Sequence, residues 1–481
     1  MMSTAIHAAE KLPTCLLWWK RRIVHAAEKL GGCAFRRERR TSHAAEKLDS
    51  CAFRWERRAS ALRIVPQIQG ALAPGHFSRT LKYTLSAATL ALLAATGCSR
   101  HGFPSVPEGY REFAYITNGG SNTVSVLDLV YLRQDRTLQV GQNPSGIAAN
   151  PRRDEVYAVN TQPGSPRGSV SVIDAAENRV VATIPVRRQP YSIAISPDGA
   201  RAYVPNSGSN SVSVLDLDRR REIATAATGD QPGVARVSPD GRTLVVTNRG
   251  SNSVSVFSIA QPKSPEGTPA IQLRAAFSGC PGATDAAILP DSSKVFVACS
   301  AGHQVMAVQL AAAPGSWPAK QDPSMLTDHL LTLLDVGKTP IHLALKPDGG
   351  EIFVSNFGSD SISEIDTWNN QVGGTYSIVS KPSGGVVSSD NSSLWVSNFG
   401  ADSISLYSID DGHVVNSIHT GSAPDAVAFS ADQYLLLAAD ARSGDVAVIR
   451  TQGKDGPGLF TILPSGKSPN AIAVKAIKRG Q

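Results

Sequence analysis

A histidine, two aspartates and an arginine carry the most reactive combination in this chain. His342, Asp285, Asp425 and Arg236 each fall early in a short apolar segment, where the corresponding segments carry mostly small residues. An imidazole titrating near neutrality can take a proton from water, and a guanidinium can hold a developing oxyanion. Such a set could hydrolyse an ester, with His342 as base, Arg236 on the oxyanion and Asp285 beside them. Tyr191, Asp425 and Asn470 at such positions, with Arg249 and His303 from neighbouring turns on the rim, are candidates for ligand binding. The competing reading is a solvated, hydrogen-bonded mouth without turnover. No CxxCH, GxSxG, HExxH or Walker loop occurs, and the "PDG" turns lack the spaced carboxylates of a calcium loop. No metal or cofactor is expected.

The elements that must position these residues are repeated. Apolar runs end in "YITN" 115–118, "YAVN" 157–160, "YVPN" 203–206, "VVTN" 245–248, "FVAC" 296–299, "FVSN" 353–356, "WVSN" 395–398 and "LAAD" 437–440. Each is followed by a Gly-containing turn and a run such as "SVSVLD", whose period-2 alternation marks a strand. Tight turns such as "SPDGA" precede each apolar run, and a Pro commonly lies seven residues earlier still. The unit is strand a, tight turn, strand b, Gly turn, strand c, strand d. Four antiparallel strands in about 42 residues make a propeller blade. The chain opens on b and closes on a, so the last strand should complete the first blade and close the ring. The expected fold is all-β, a single propeller over 111–481. Eight blades is the direct count.

These tetrads, with their "GSNSVSV" continuations, resemble the YVTN β-propeller repeat over residues 111–481. That family is related to lactonase-fold propellers, and its members are often exported or envelope proteins. The resemblance makes seven blades the alternative count, with the set ending at Cys299 as the degenerate one. It also implies that any hydrolysis would act on a lactone or ester at the channel mouth.

Asn118, Asn160, Asn206, Asn248, Asn356 and Asn398 close strand b in six sets. A residue needed in every blade points to the fold more than to one ligand. Asn tolerates left-handed backbone and can bond the next turn, so these are expected to be structural turn residues. The aromatic residues three places earlier should fill the wedge between blades. Cys280 and Cys299 belong to one blade and are expected to pair in an exported protein. Phe357 and Phe399 offer either an exposed patch or a cover for their turns. Two insertions, 259–272 and 310–331, fall between strands c and d of consecutive blades, opposite the mouth.

The pI of about 9.1 does not describe the propeller. Residues 1–97 hold 16 Lys+Arg against 6 Asp+Glu, while 98–481 holds 31 against 34. Nucleic acid is therefore not an expected partner. "HAAEKL" recurs at 7, 25 and 43, with one Cys in each copy. So strict an 18-residue period reads as a tandem DNA repeat, and 1–77 as a non-native or mis-annotated extension. Its His and Cys come singly and form no zinc set. Residues 78–97 read as a signal peptide with a basic start and a short apolar core. They end at "ATGC", which resembles a bacterial lipobox with Cys98 as the lipidation site, and 98–110 as linker. The expected protein is a monomer in the periplasm or cell envelope, lipid-anchored to a membrane surface. The leading function is binding of a protein or glycan. The alternatives are a lactonase-like hydrolase and a structural or adhesive surface protein.

Overall fold

In the computed structural model, the described residues are 105–261, 269–316, 320, 322–454 and 456–477. The expected extension 1–77, signal segment 78–97 and Cys98 lie outside them. Eight four-stranded antiparallel sheets form the fold, numbered β1 to β32 in chain order. Blade 1 holds β1 (Arg111–Asn118), β2 (Thr123–Asp128) and β3 (Arg133–Gln139). Blades 2 to 8 each take the next four strands, from β4 (Pro144–Ala149) to β31 (Gly458–Pro464). The last strand, β32 (Pro469–Ile477), pairs with β1 in the register Tyr115↔Ala473. The chain ends are thus stitched into one blade, and the ring has no open seam. The count is eight.

Apolar burial explains why the blades stack. There are eight core clusters, and each joins two neighbouring blades. Tyr115 packs with Val156, Ala158 and Ile173 of blade 2, and Phe353 packs with Leu394 and Val396 of blade 7. Tyr115, Tyr157, Tyr203, Phe296, Phe353 and Trp395 are all buried in such wedges. Each buried aromatic removes on the order of 150–250 Å² from water.

The Asn residues work differently from the sequence expectation. None of them takes left-handed backbone; that is adopted four residues later, at Asn122, Asn210, Asn252, Asp360 and Asp402. The strand-end Asn stays extended and buried, with its amide turned into the blade. Asn248 Nδ2 donates to Ser253 Oγ (3.2 Å) and Ser255 Oγ (2.9 Å). Asn118, Asn160, Asn356 and Asn398 make the same two bonds to strand c. Asn206 reaches Ser213 Oγ (2.9 Å) and the carbonyls of Val204 and Ser211. This accounts for the "SVSV" pattern: Val fills the wedge, and Ser receives the amide.

Blades 5 and 8 replace this latch. Cys299 takes the Asn position in β17 (Lys294–Cys299) and is bonded to Cys280, with Cα atoms 4.8 Å apart. The curl that brings Cys280 back includes Gly279 and Gly282, both at positive φ. Part of the second insertion is docked through Asp328, which is buried and accepts Arg274 Nε (2.5 Å) and Nη2 (2.8 Å).

Candidate functional site

Strand a lies innermost in every blade and starts beside the end of strand b. In blades 5 to 8 the pairing shifts at the first residues of strand a, as between Pro340 and His342. This bulge presents the following side chains to the channel. Tyr191, Arg236, Asp285, His342, Asp425 and Asn470 line one cavity of about 420 Å³. The sequence candidates from five blades and the closing strand are therefore gathered at one mouth. Arg249 lies on its rim, with its guanidinium 4.6 Å from the Tyr191 ring centre, and also lines a neighbouring cavity of about 620 Å³. His303 is used differently: its Nδ1 accepts the Thr339 N–H (3.1 Å) on the turn face.

Three charged groups form a chain across blades 4, 5 and 6. Arg236 Nη2 donates to Asp285 Oδ1 (2.8 Å), and Arg236 Nε to the Ala286 carbonyl (2.9 Å). Asp285 also accepts the N–H groups of Ala286 (2.8 Å) and Leu343 (3.2 Å). His342 Nδ1 stands 3.0 Å from Asp285 Oδ2. His342 Nε2 stands 2.9 Å from the carbonyl oxygen of Gly385, in blade 7.

The chemistry of His342 follows from these partners. A carboxylate and a carbonyl both accept, so both ring nitrogens must donate. His342 is an imidazolium. Burial opposes that charge, but the bond and attraction to Asp285 outweigh it and raise its pKa. Burial likewise pushes Asp285 up, yet Arg236 and His342 together hold it well below the usual carboxylate range.

With both ring nitrogens facing acceptors, His342 offers no free lone pair to take a proton from water in this arrangement. The expected oxyanion role of Arg236 is limited too: its Nε and Nη2 are committed, and Nη1 alone has no partner among the described residues. The chain carries one net positive charge, from two cations and one carboxylate.

Asp425 differs from Asp285. Burial raises its pKa, only partly offset by a hydrogen bond from Ser383 and by His342. Its carboxyl is thus held above the ordinary carboxylate value, where that of Asp285 is held below it. Sequence reasoning missed Gly385 and Ser383. A backbone carbonyl has no residue signature. The neighbouring Gly384 did offer one, since a Cβ there would meet the Asp425 carbonyl at 2.7 Å. The rim carries Phe357 and Phe399, half-exposed, with ring centres 6.1 Å apart. Lys381 lies over the first ring (5.7 Å) and Arg442 over the second (5.1 Å).

The Lactonase, 7-bladed beta-propeller family model matches residues 193–316 and 365–458. Those residues run from blade 3 into blade 5 and from blade 6 into blade 8, in a ring of eight. No curated protein matches the sequence. Among solved structures, dihydro-heme d1 dehydrogenase NirN superposes with a TM-score of 0.59 at 16% identity, covering 77% of each chain. A protein of Lactobacillus plantarum gives 0.51 at 14% identity, covering 77% of this chain and 100% of its own. A protein of Bacteroides fragilis NCTC 9343, provisionally named a 6-phosphogluconolactonase, gives 0.50 at 15%, covering 78% and 100%. At these identities the likeness establishes the fold and nothing further.

Proposed function

We propose that this lactonase-like propeller is an exported binding protein, lipid-anchored through Cys98, whose mouth holds an anionic group of its ligand without hydrolysing it. The observation that supports it is the Arg236–Asp285–His342 chain, which fixes a cation at the mouth and removes the lone pair a base would need. Arg249, Lys381 and Arg442 add positive charge around the rim. A carboxylate- or phosphate-bearing glycan or peptide suits that field. The anchor reading is supported by the "LAATGC" ending of the apolar segment.

The test is calorimetric titration of the full chain with 6-phosphogluconate, beside a hydrolysis assay on 6-phosphogluconolactone. The expected result is salt-sensitive binding that falls about tenfold in Arg236→Gln, with no turnover. Turnover above the buffer rate overturns the binding reading. One observation favours hydrolysis as the second reading: the half-buried Asp425 in the same cavity, its pKa raised. In that case Asp425→Asn, and not His342→Gln, should abolish turnover. Mass spectrometry of the native protein tests the anchor, by finding or failing to find a lipidated Cys98.

A further inference from the structure

The face opposite the mouth carries a side chain the fold does not need. Trp368 sits in the turn between β22 (Ser361–Asp366) and β23 (Gln371–Ser377) and is 90% exposed. Equivalent turns place Val130, Ala176, Asp218 and Asp410 at this position. The backbone asks only for the preceding Asp, whose carboxylate accepts the next N–H groups; Asp366 Oδ1 does so from Trp368 (2.8 Å) and Asn369 (3.1 Å). The indole is thus held on a capped turn while contributing nothing to a core. Leaving so large an apolar ring in water is unfavourable unless something covers it part of the time.

Trp368 also lines a cavity of about 470 Å³ between blades 5 and 6. Leu289, Pro290 and Gly349 supply apolar wall, and Asp291, Asp348 and Lys294 supply polar groups. The turn that carries the ring is anchored to this wall. Lys294 Nζ donates to the carbonyls of Thr367 (2.7 Å) and Trp368 (3.3 Å), and buried Thr367 Oγ1 donates to the Gly349 carbonyl (2.5 Å). The turn beneath the ring is therefore fixed against the cavity wall.

The charges narrow the ligand. Asp348 faces Lys346 at 3.5 Å, and Asp291 acts on Lys294. Lys346 is shared with Glu351 (3.0 Å) and Lys294 with Asp366, so carboxylates outnumber ammonium groups and the cavity disfavours anions. Each carboxylate caps its own turn with one oxygen: Asp291 Oδ1 accepts from Ser293 (2.9 Å) and Asp348 Oδ1 from Gly350 (2.8 Å). Asp291 Oδ2 remains as an acceptor for a hydroxyl donor, and Asp348 Oδ2, facing Lys346, keeps one lone pair toward the cavity. A flat apolar face beside carboxylate acceptors matches a pyranose, which offers a C–H face and a rim of hydroxyls.

We infer that Trp368 and the cavity between blades 5 and 6 form a binding subsite for a neutral glycan, separate from the cationic mouth. The inference does not depend on the mouth binding anything. Saturation-transfer NMR on the full chain with cellohexaose, maltohexaose and chitohexaose tests it, with choline and inorganic phosphate as the charged arms. At least one hexasaccharide should bind. Trp368→Ala should weaken it about tenfold or more, and Asp348→Asn severalfold, with the melting temperature unchanged. Arg236→Gln should leave this binding intact. Failure of all three sugars at millimolar concentration overturns the inference. Binding that survives Trp368→Ala, or choline or phosphate binding in place of sugar, overturns it as well.

Discussion

The b–c hinge and the inner end of strand a belong to the same repeat, yet they behave in opposite ways. At the hinge, six blades carry the same Asn, and most of its side-chain partners lie inside its own blade. At the inner end the residues differ between blades, and their partners lie in the next blade, as Arg236, Asp285 and His342 show. Uniformity with internal partners marks what each blade needs to fold. Difference with external partners marks where the ring is asymmetric, and only an asymmetric place can recognise one ligand. The two hinges that break the rule, in blades 5 and 8, show what the Asn was doing by how it was replaced.

The largest effect should come from the blade 5 hinge. The Cys280–Cys299 bond closes a loop with a sequence separation of 19 residues. Removing it as Cys280→Ala/Cys299→Ala should cost about 3 kcal/mol, read by denaturant unfolding. A loss as small as that of a surface substitution would show that blade 5 does not need its substitute latch.

Next comes Asn248→Ala. It removes two N–H donors and leaves the buried hydroxyl of Ser255 and the half-buried one of Ser253 without them. The expected cost is about 2 kcal/mol by the same measurement.

Blade 8 gives a smaller, pH-dependent effect. Asp440 takes the Asn position, and Asp445 stands where the six Asn blades carry Ser or Thr. Asp440 Oδ2 accepts the Gly421 N–H (3.1 Å), as an amide oxygen would, while its buried Oδ1 has no partner. A proton on Oδ1 would restore the donor that Asn supplies. Burial and the neighbouring Asp445 push Asp440 up to about 7. The folded state then binds a proton more tightly than the unfolded one. Stability should fall as pH rises from the ordinary Asp value of 3.8 to about 7, and level off above it. Asp440→Asn should flatten that slope and add on the order of 1 kcal/mol at alkaline pH. A slope unchanged in the variant would remove Asp440 as its cause.

Much of this was legible in the sequence because a blade is a local object. Strand alternation, the Pro and Asp-Gly turns and the phase offset between first b and last a gave eight blades and a closed ring. Tyr191, Arg236, Asp285, His342, Asp425 and Asn470 could be grouped at one mouth by counting from the Pro. Their chemistry could not be counted out. It depends on which atom of the next blade faces each side chain, and the decisive partner of His342 is the Gly385 carbonyl, identical in kind at every residue. Trp368 escaped the sequence reading, because its turn varies from blade to blade and residue type does not report side-chain exposure.

The central claim is that His342 is a cation at the mouth, and NMR of its ring tests this most directly. The full chain, labelled with ¹⁵N-histidine and assigned with His342→Gln, would be titrated across the ordinary histidine midpoint of 6.5. The account predicts both ring nitrogens protonated at that pH and a midpoint above it; the stability from the Asp285 contact is then present below 6.5 and lost as pH rises through the raised value. A neutral ring with one bare nitrogen and a midpoint below 6.5 would contradict it and return His342 to the role of base.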